Sequence, residues 1–552
     1  MNPHSPQIII RMSPPRPENL CIIMPMTFIP KTRLIAVIGV ALLASLPLSA
    51  APDQPIRTEN GPVTGVAGRH PEVRVFKGIP FAAPPLGELR WKPPQPAASW
   101  QGTRAADAFS ANCMQRSANG GAFPPYGGDR SAVRMSEDCL YLNVYTTARP
   151  SDDRRPVMVW VHGGALTSGA GAIYEGEELA LKGVVVVTIN YRLGVFGFLA
   201  HPELTKESDH QASGNYGLLH QVAALKWVHN NIAAFGGDPT RVTIFGESAG
   251  SWSVNYLMAS PLTHGWFQRV IGESGGQFGL GRTLAEAEQA GVKFSQTVRA
   301  SSLALLRTIS ADDLVKANGF QTTGTVDGWF LPEDVNTIFA KGRQNDVPLL
   351  IGSNADEGSI FTPATVTSAS FREQSERRFG QDATTLAAFS KLYPSTSDEE
   401  ARTSQAASMR DQTFGWEMRT WARAQTRTGK SKVYLYYFSR IPPIPDRERA
   451  RSQHGAEIPY AFNWVHGGLS TTPWENLDRK LADDVSGYWV NFATTGNPNG
   501  RNLPKWPAYQ MKDDVALHLG DTVVPAPLPH KAALDFLDGY MERLRHAPTR
   551  SQ

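Results

Sequence analysis

Residues 246–250, Gly-Glu-Ser-Ala-Gly, form a G-x-S-x-G pentapeptide, which is typical of a serine at the tip of a sharp turn. Residues 242–245 before it are a short apolar run that predicts a buried strand. Residues 249–258 after it are compatible with a helix, whose first amides would lie where an oxyanion forms. This pattern predicts that Ser248 is the nucleophile of an acyl-transfer enzyme.

A second pentapeptide, Gly-Glu-Ser-Gly-Gly at residues 272–276, matches the same pattern around Ser274. The residues that follow Ser274 favour Ser248 as the nucleophile. Glycines at 275, 276, 279 and 281 make a poor helix start, because glycine disfavours the helical state. The flanking residues therefore separate the two serines where the pentapeptide alone does not.

A serine hydroxyl needs a base within hydrogen-bond reach, and the base needs an acid that fixes its tautomer. The chain order serine, carboxylate, histidine is that of α/β hydrolases. Here it is offered by Ser248, Glu357 and His454. Asp356 stands beside Glu357, and spacing alone leaves both carboxylates open as the acid. A second His-Gly-Gly motif at His466 follows no strand end and is not expected to supply the base.

The elements that must position these residues alternate between strand-like and helix-like stretches from about residue 55 to 360. Residues 218–235 have a helical period, and residues 281–340 and 365–430 read as helical excursions. With no internal repeat or convincing linker, we expect one domain with a mainly parallel sheet covered on both faces. The predicted strands are 156–161, 183–190, 241–248, 346–352 and 431–438.

The active site of such a sheet usually lies at the carboxyl ends of the strands. His162-Gly163-Gly164-Ala165 follows one predicted strand, and Ser248 follows another. Residues 352–358 follow a third, and His454 follows a fourth after a loop. The separate parts of the predicted machinery are therefore expected to meet at one edge.

The composition is that of a soluble globular protein, with 41% apolar and 19% charged residues in 552. Residues 1–50 contain four basic residues and one acidic residue, so the remainder balances at 50 of each. We find no basic stripe for nucleic acid. No close cluster of His, Cys and acidic residues has zinc spacing, and we predict no metal or cofactor.

Residues 31–50 resemble a secretory signal. Lys31 and Arg33 precede a run of 15 apolar residues, 34–48, which is short for a membrane span. We therefore expect a leader over 1–50, a catalytic domain over 51–552, and a periplasmic or extracellular location. A membrane anchor is the alternative, and translation starting at Met24 or Met26 instead of Met1 remains open.

In an exported protein, cysteines are expected to form disulfides. Cys21 would be removed with the leader, which leaves Cys113 and Cys139 as an even pair. A disulfide between them is the prediction, and two separate buried thiols are the alternative.

Several blocks in one order resemble the type-B carboxylesterase family, which includes cholinesterases and para-nitrobenzyl esterases. The resemblance extends from about residue 55 to 510 and implies the α/β-hydrolase fold, with helices on both faces of a large sheet and helical insertions. The matching blocks are FKGIPFAAPP (76–85), SEDCLYLNVY (136–145), VMVWVHGGALTSG (157–169), NYRLGVFGFL (190–199), residues 214–251, NADEG (354–358), HGAEIPYAF (454–462) and WVNFATTGNPNG (489–500).

The resemblance assigns the nucleophile to Ser248, the acid to Glu357 rather than Asp356, and the base to His454. It implies an oxyanion hole of three backbone amides, those of Gly164, Ala165 and Ala249. Ala165 stands where many relatives carry a third glycine, which leaves tolerance of bulky alcohols open.

The resemblance also implies supporting residues. Ser274 matches a position that supports the acid through hydrogen bonds, and Glu247 is an electrostatic helper or a buried paired carboxylate. Cys113 and Cys139 match the first disulfide of the family.

One departure from the cholinesterases concerns substrate. Residues 114–138 contain no tryptophan, the residue that binds quaternary ammonium in cholinesterases, and Phe123 and Tyr126 are their only aromatic residues. Choline esters are therefore not expected as substrates. We predict an exported carboxylic-ester hydrolase with a small-molecule substrate, no nucleic-acid partner and no membrane span in the mature chain. The alternatives are a lactonase, amidase or specialised polyester or toxin esterase, or a non-catalytic binding module on the same fold.

Overall fold

The structure, a computed structural model, describes residues 54–116, 134–147, 153–317, 319–380, 382–466 and 472–546. The predicted leader, with its signal segment at about 31–50, lies outside the described residues, as do Phe123 and Tyr126. No helix within the described ranges is long and apolar enough to cross a membrane.

We number the strands and helices of the described residues in chain order. The strands are β1 Ile56–Thr58, β2 Gly61–Thr64, β3 Val66–Ala67, β4 Arg74–Pro80, β5 Arg104–Ala105, β6 Asn112–Cys113, β7 Met135–Ser136, β8 Tyr141–Thr146, β9 Arg155–Val161, β10 Val185–Ile189, β11 Gly237–Glu247, β12 Arg269–Glu273, β13 Arg282–Thr283, β14 Thr325–Val326, β15 Leu349–Asn354, β16 Val433–Phe438, β17 Val515–Leu519 and β18 Val523–Pro527. The α-helices are α1 Glu177–Leu181, α2 Gly194–Phe198, α3 Pro202–Glu207, α4 Tyr216–Asn231, α5 Ala249–Ala259, α6 Leu284–Thr297, α7 Leu303–Thr308, α8 Ala311–Lys316, α9 Val335–Ala340, α10 Ser368–Phe379, α11 Ala383–Leu392, α12 Asp398–Met409, α13 Trp416–Thr428, α14 Arg447–Ala450, α15 Ile458–Ala461, α16 Asn476–Thr495 and α17 Lys531–His546. Short 3-10 helices occur at Gly87–Leu89, Gly171–Ile173, Ile232–Phe235, Pro261–Thr263 and Trp464–His466, and a π-helical turn at Arg410–Gly415 joins α12 to α13.

Eleven strands form the main sheet, in the order β18-β17-β16-β15-β12-β11-β9-β10-β8-β4-β3. The strands from β17 to β10 pair in parallel, and the outer strands pair antiparallel. The mainly parallel α/β-hydrolase sheet predicted from the sequence is thus confirmed.

Both faces of the sheet are covered, as the continuous apolar strands predicted. In β9, Val157, Val159 and Val161 join one hydrophobic cluster, while Met158 and Trp160 join another. Because side chains alternate across a strand, these two clusters lie on opposite faces. α5 belongs to the first cluster and α16 to the second, so a helix packs on each side of the central strands.

The strand ends that the sequence singled out are neighbours. β9, β11, β12, β15 and β16 are adjacent in that order, and all run in the same direction. The residues that follow them therefore lie along one edge of the sheet.

The predicted disulfide is present. Cys113 and Cys139 are joined across a separation of 26 residues, and both are buried.

Candidate active site

Ser248 lies between the end of β11 and the start of α5 with a φ of 57°, in the region that non-glycine residues rarely adopt. Both glycines of the pentapeptide are required because a side chain at either position would collide with the backbone. A Cβ on Gly246 would lie 2.6 Å from the carbonyl carbon of Gly250, and a Cβ on Gly250 would overlap the carbonyl oxygen of Val161. The turn therefore fits only where both positions lack a side chain.

The twin motif lies directly beside it. β11 and β12 pair in register with Glu247 opposite Glu273, and the Ser248 amide donates to the Glu273 carbonyl over 2.8 Å. Ser274 has nearly the same φ, 56°. The two turns differ in their sequel, since Ser248 precedes an 11-residue helix, whereas the next helix after Ser274 begins at Leu284. This confirms the expectation that the glycines after Ser274 do not start a helix there.

His454 and Glu357 are in contact. Nδ1 of the imidazole lies 2.6 Å from Oε2 of Glu357, and both side chains are buried. The other carboxylate oxygen of Glu357 accepts from the Asn354 amide at 2.7 Å. Asp356, the rival acid, instead pairs with Arg451 at 2.9 Å. Of the two adjacent carboxylates, only Glu357 is thus placed to fix the tautomer of the histidine.

His466 of the second histidine motif lies elsewhere. Its Nε2 is 3.2 Å from the Arg479 carbonyl and 3.3 Å from Asp483, both on α16.

Glu247 approaches His454 from the other side of the ring. Its Oε1 lies 3.1 Å from Nε2 of the imidazole. A Cβ on Gly163 would lie 2.9 Å from Glu247 Oε2 and 3.2 Å from the Cβ of Ser248. Ser248 and the Glu247 carboxylate, which contacts the imidazole, therefore both lie beside Gly163.

Burial and charge act in opposite directions on this pair. Burial raises the pKa of Glu247 to about 8, against the opposing charge of His454. Burial alone would lower the pKa of His454, but the carboxylates of Glu247 and Glu357 more than offset it and raise it to about 9. Neither oxygen of Glu247 accepts a hydrogen bond from the described residues, so its charge is stabilised mainly by the imidazole.

Two further buried glutamates, Glu457 and Glu273, lie close to Ser248, Glu357 and His454. Glu457 accepts from Asn354 Nδ2 at 2.5 Å and from Ser274 Oγ at 3.3 Å, and Glu273 accepts from Trp489 Nε1 at 2.9 Å. Burial first, and then the charge of Glu357, raises the pKa of Glu457 to about 7, and burial likewise raises that of Glu273. Ser274 is thus linked to the acid indirectly, through Glu457 and Asn354.

The loop after β9 turns sharply through three consecutive residues with positive φ. Gly164, Ala165 and Leu166 have φ values of 102°, 54° and 58°, and the amides of Thr167 and Ser168 donate to the Gly164 carbonyl. Among the described residues, no hydrogen bond is donated by the amides of Gly164, Ala165 or Ala249. Ala249 is the first residue of α5. The three predicted oxyanion donors are therefore not engaged by protein acceptors there.

Two aromatic rings that sequence reasoning missed contact the histidine. The ring centroids of Phe361 and Phe414 lie 5.2 and 4.6 Å from that of His454. Phe361 follows Glu357 by four residues, which was a usable signal, but Phe414 lies in the π-helical turn within a helical excursion. Glu457 was also visible, three residues after His454, and was not assigned a role.

Comparison with known proteins identifies the family of the chain. The sequence model of the carboxylesterase family matches residues 52–536. The chain is 39% identical over 499 residues to the fumonisin B1 esterase of Sphingopyxis macrogoltabida, covering 85% of this chain and 88% of that protein. It is 36% identical over 480 residues to the para-nitrobenzyl esterase of Bacillus subtilis (strain 168), covering 83% and 92%.

A solved structure of PNB esterase superposes with a TM-score of 0.75 at 35% identity, covering 88% of this chain and 99% of that one. A match over this length, with relatives named as esterases, identifies both the fold and the reaction class. The chain belongs to the carboxylesterase family and is a carboxylic-ester hydrolase.

Proposed function

We propose that the protein is an exported serine esterase that works through an acyl-enzyme, with Ser248 as nucleophile, His454 as base and Glu357 as acid. The observation that carries this proposal is the 2.6 Å contact between His454 Nδ1 and Glu357 Oε2. It gives the imidazole a fixed tautomer on the strand edge that also bears Ser248.

The proposed reaction has two halves. His454 accepts the proton of Ser248 as the hydroxyl oxygen attacks the ester carbonyl, and it then gives this proton to the leaving alcohol. Water repeats the sequence on the acyl-enzyme and releases the acid. Glu357 stabilises the imidazolium that forms in each half.

The negative oxygen of each tetrahedral intermediate needs preorganised donors. We assign this role to the amides of Gly164, Ala165 and Ala249, because they face no protein acceptor among the described residues. Losing one such donor typically lowers kcat by about 10²–10³.

We assign Glu247 to the electrostatic support of His454. Its carboxylate oxygen lies 3.1 Å from Nε2, on the side of the ring opposite Glu357. Ser274 is assigned to the support of Glu457, to which its hydroxyl donates.

A specialised ester is the second candidate for the substrate. It is favoured by the 39% identity to a fumonisin B1 esterase, a relative named for one toxin. A panel of p-nitrophenyl esters of graded acyl length separates the two candidates. Activity that peaks at one acyl length favours a general esterase, whereas weak and flat activity across the panel favours a specialised natural ester.

Export is supported by the charged start and apolar run of residues 31–48 and by the Cys113–Cys139 disulfide. Fractionation of cells expressing the full chain, with N-terminal sequencing of the mature protein, tests it. A mature N-terminus near residue 51 in the periplasm or medium is expected, and an uncleaved cytoplasmic chain would refute export.

Labelling with a fluorophosphonate tests the nucleophile. The twin turns supply a matched pair of variants, Ser248→Ala and Ser274→Ala, because both serines follow Gly-Glu and both have a φ near 56°. We expect an adduct on Ser248 in the parent chain and in the Ser274→Ala variant, and none in Ser248→Ala. An adduct on Ser274, or labelling that survives in Ser248→Ala, would overturn the assignment.

A further inference from the structure

A cavity of about 620 Å³ lies beside the segment that follows β15. Its wall is formed by that segment, by α12 and by the residues around α14. Four arginines line it, contributed by three parts of the chain: Arg402, Arg410, Arg449 and Arg451. Asp356 is the one acidic residue in the lining.

Positive charge exceeds negative charge in this cavity. Arg451 pairs with Asp356 at 2.9 Å, and Arg410 pairs with Asp411 at 2.7 Å. The side chain of Arg402 makes a single long hydrogen bond, 3.4 Å, to the Val366 carbonyl. For Arg449, which is exposed, no side-chain hydrogen bond or ion pair occurs among the described residues. Two of the four guanidinium groups are thus without a carboxylate partner in the described part of the chain.

The cavity adjoins the active site but is not part of it. Ala355, Gly358 and Ser359 line it and flank Glu357 on both sides. Arg410 lies in the same π-helical turn as Phe414, whose ring contacts His454. Neither Ser248 nor the predicted oxyanion donors are among the lining residues.

We propose that this cavity binds a small oxyanion that carries two or more negative charges, such as a phosphate or a polycarboxylate. Guanidinium groups match carboxylate and phosphate oxygens through paired hydrogen bonds, and they remain charged at all physiological pH values. The four line one cavity from three parts of the chain, and the two without a carboxylate partner among the described residues are free to bind an anion, whereas a cation would be repelled by the excess positive charge. The two paired arginines hold the lining in place through Asp356 and Asp411.

Isothermal titration calorimetry on the full chain tests this binding site directly. Inorganic phosphate is one probe and citrate the polycarboxylate probe, both at low ionic strength, since salt weakens exposed charge pairs. We expect one site for at least one of these anions, and the two titrations show which anion class the cavity prefers. The highest concentration tested is about 10 mM, because weaker binding would have no functional meaning. If neither anion binds at that concentration, the proposal is wrong.

Charge-neutralising variants locate the site. Arg402→Gln with Arg449→Gln removes both guanidinium groups that have no carboxylate partner within the described ranges and should weaken binding about tenfold or more. Arg449→Gln alone, at an exposed position, keeps the test valid if the double variant folds poorly. Arg501→Gln, an exposed arginine outside the cavity, is the matched control and should bind as the parent does. An equal loss in Arg501→Gln, or undiminished binding in both cavity variants, would refute the assignment. Since binding is measured without turnover, this result is independent of the proposed catalytic roles.

Discussion

Replacing Glu247 with glutamine should move the pH dependence of catalysis to lower pH. The carboxylate of Glu247 lies 3.1 Å from Nε2 of His454, and its charge is the largest of the carboxylate contributions that raise the pKa of this histidine to about 9. Glutamine keeps the shape of the side chain and removes the charge. The pKa of His454 should therefore fall in the variant.

The size of the effect follows from the distance. Two unit charges 3.1 Å apart at an effective dielectric constant of about 20 interact by about 5 kcal/mol, equivalent to nearly four pKa units. This is a ceiling, because burial raises the pKa of Glu247 itself to about 8 and keeps the carboxyl mostly protonated at neutral pH. We expect a downward shift of about one unit or more.

The assay is the pH profile of kcat/KM with a neutral p-nitrophenyl ester, which reports the free enzyme. A base must be unprotonated to accept the proton of Ser248, so activity should rise with pH as His454 loses its proton. In the parent, the midpoint of this rise should lie above 6.5, the ordinary pKa of histidine. In Glu247→Gln it should lie closer to that value.

Glu273→Gln is the matched control. Glu273 is also a buried glutamate at the end of a neighbouring strand, but its carboxylate accepts from Trp489, and burial raises its pKa well above the ordinary value, so it carries little charge at neutral pH. Its variant should keep the parent midpoint. If Glu247→Gln leaves the midpoint unchanged or moves it upward while Glu273→Gln behaves as the parent, the electrostatic reasoning is wrong.

Three further predictions concern turnover and stability. Ser248→Ala should lower kcat by about 10⁴ or more, as measured by steady-state kinetics. Its thermal midpoint, measured by circular dichroism, should stay nearly unchanged because the substitution removes only a buried hydroxyl. Gly164→Ala should lower kcat by about 10²–10³ with a smaller change in KM, because the added Cβ would overlap the Ser168 carbonyl and displace a donor; a parent-like kcat would contradict the oxyanion assignment. Cys113→Ala with Cys139→Ala should lower the free energy of unfolding by about 3 kcal/mol in denaturant titrations, and the reduced parent should show the same loss.

Much of the architecture was predictable because apolar strands and punctuating glycines are local signals. The run at 156–161 became β9 at Arg155–Val161, and the run at 431–438 became β16 at Val433–Phe438. The helix predicted over 218–235 is α4 at Tyr216–Asn231, continued by a 3-10 turn to Phe235. It ends at Gly236, whose φ of 79° suits a left-handed cap.

What the sequence could not supply were contacts between segments far apart in the chain. Glu457 and Asn354 are 103 residues apart, and only folding brings the amide to the carboxylate. Phe414 contacts His454 from the π-helical turn Arg410–Gly415, and an insertion of this kind leaves no clear trace in hydrophobic period. Spacing also left the choice between Asp356 and Glu357 undecided, and only the resemblance to the carboxylesterase family assigned the acid to Glu357. The choice depends on which carboxylate faces His454, and spacing along the chain does not encode this.

The position of Glu247 explains one glycine that the motifs contain but the reaction does not use. A Cβ on Gly163 would lie 2.8 Å from the Glu247 carbonyl oxygen and 2.9 Å from its Oε2, closer than side chains approach. Gly455 has a different reason, since its φ of 76° is one that other residues rarely adopt, whereas a Cβ there would lie at an ordinary 3.6 Å from Glu247 Oε1. The glycine after His162 therefore leaves room for the buried carboxylate from β11. The His-Gly-Gly motif and the serine motif are thus coupled sterically, because the place that Glu247 takes beside His454 depends on the absence of a side chain at residue 163.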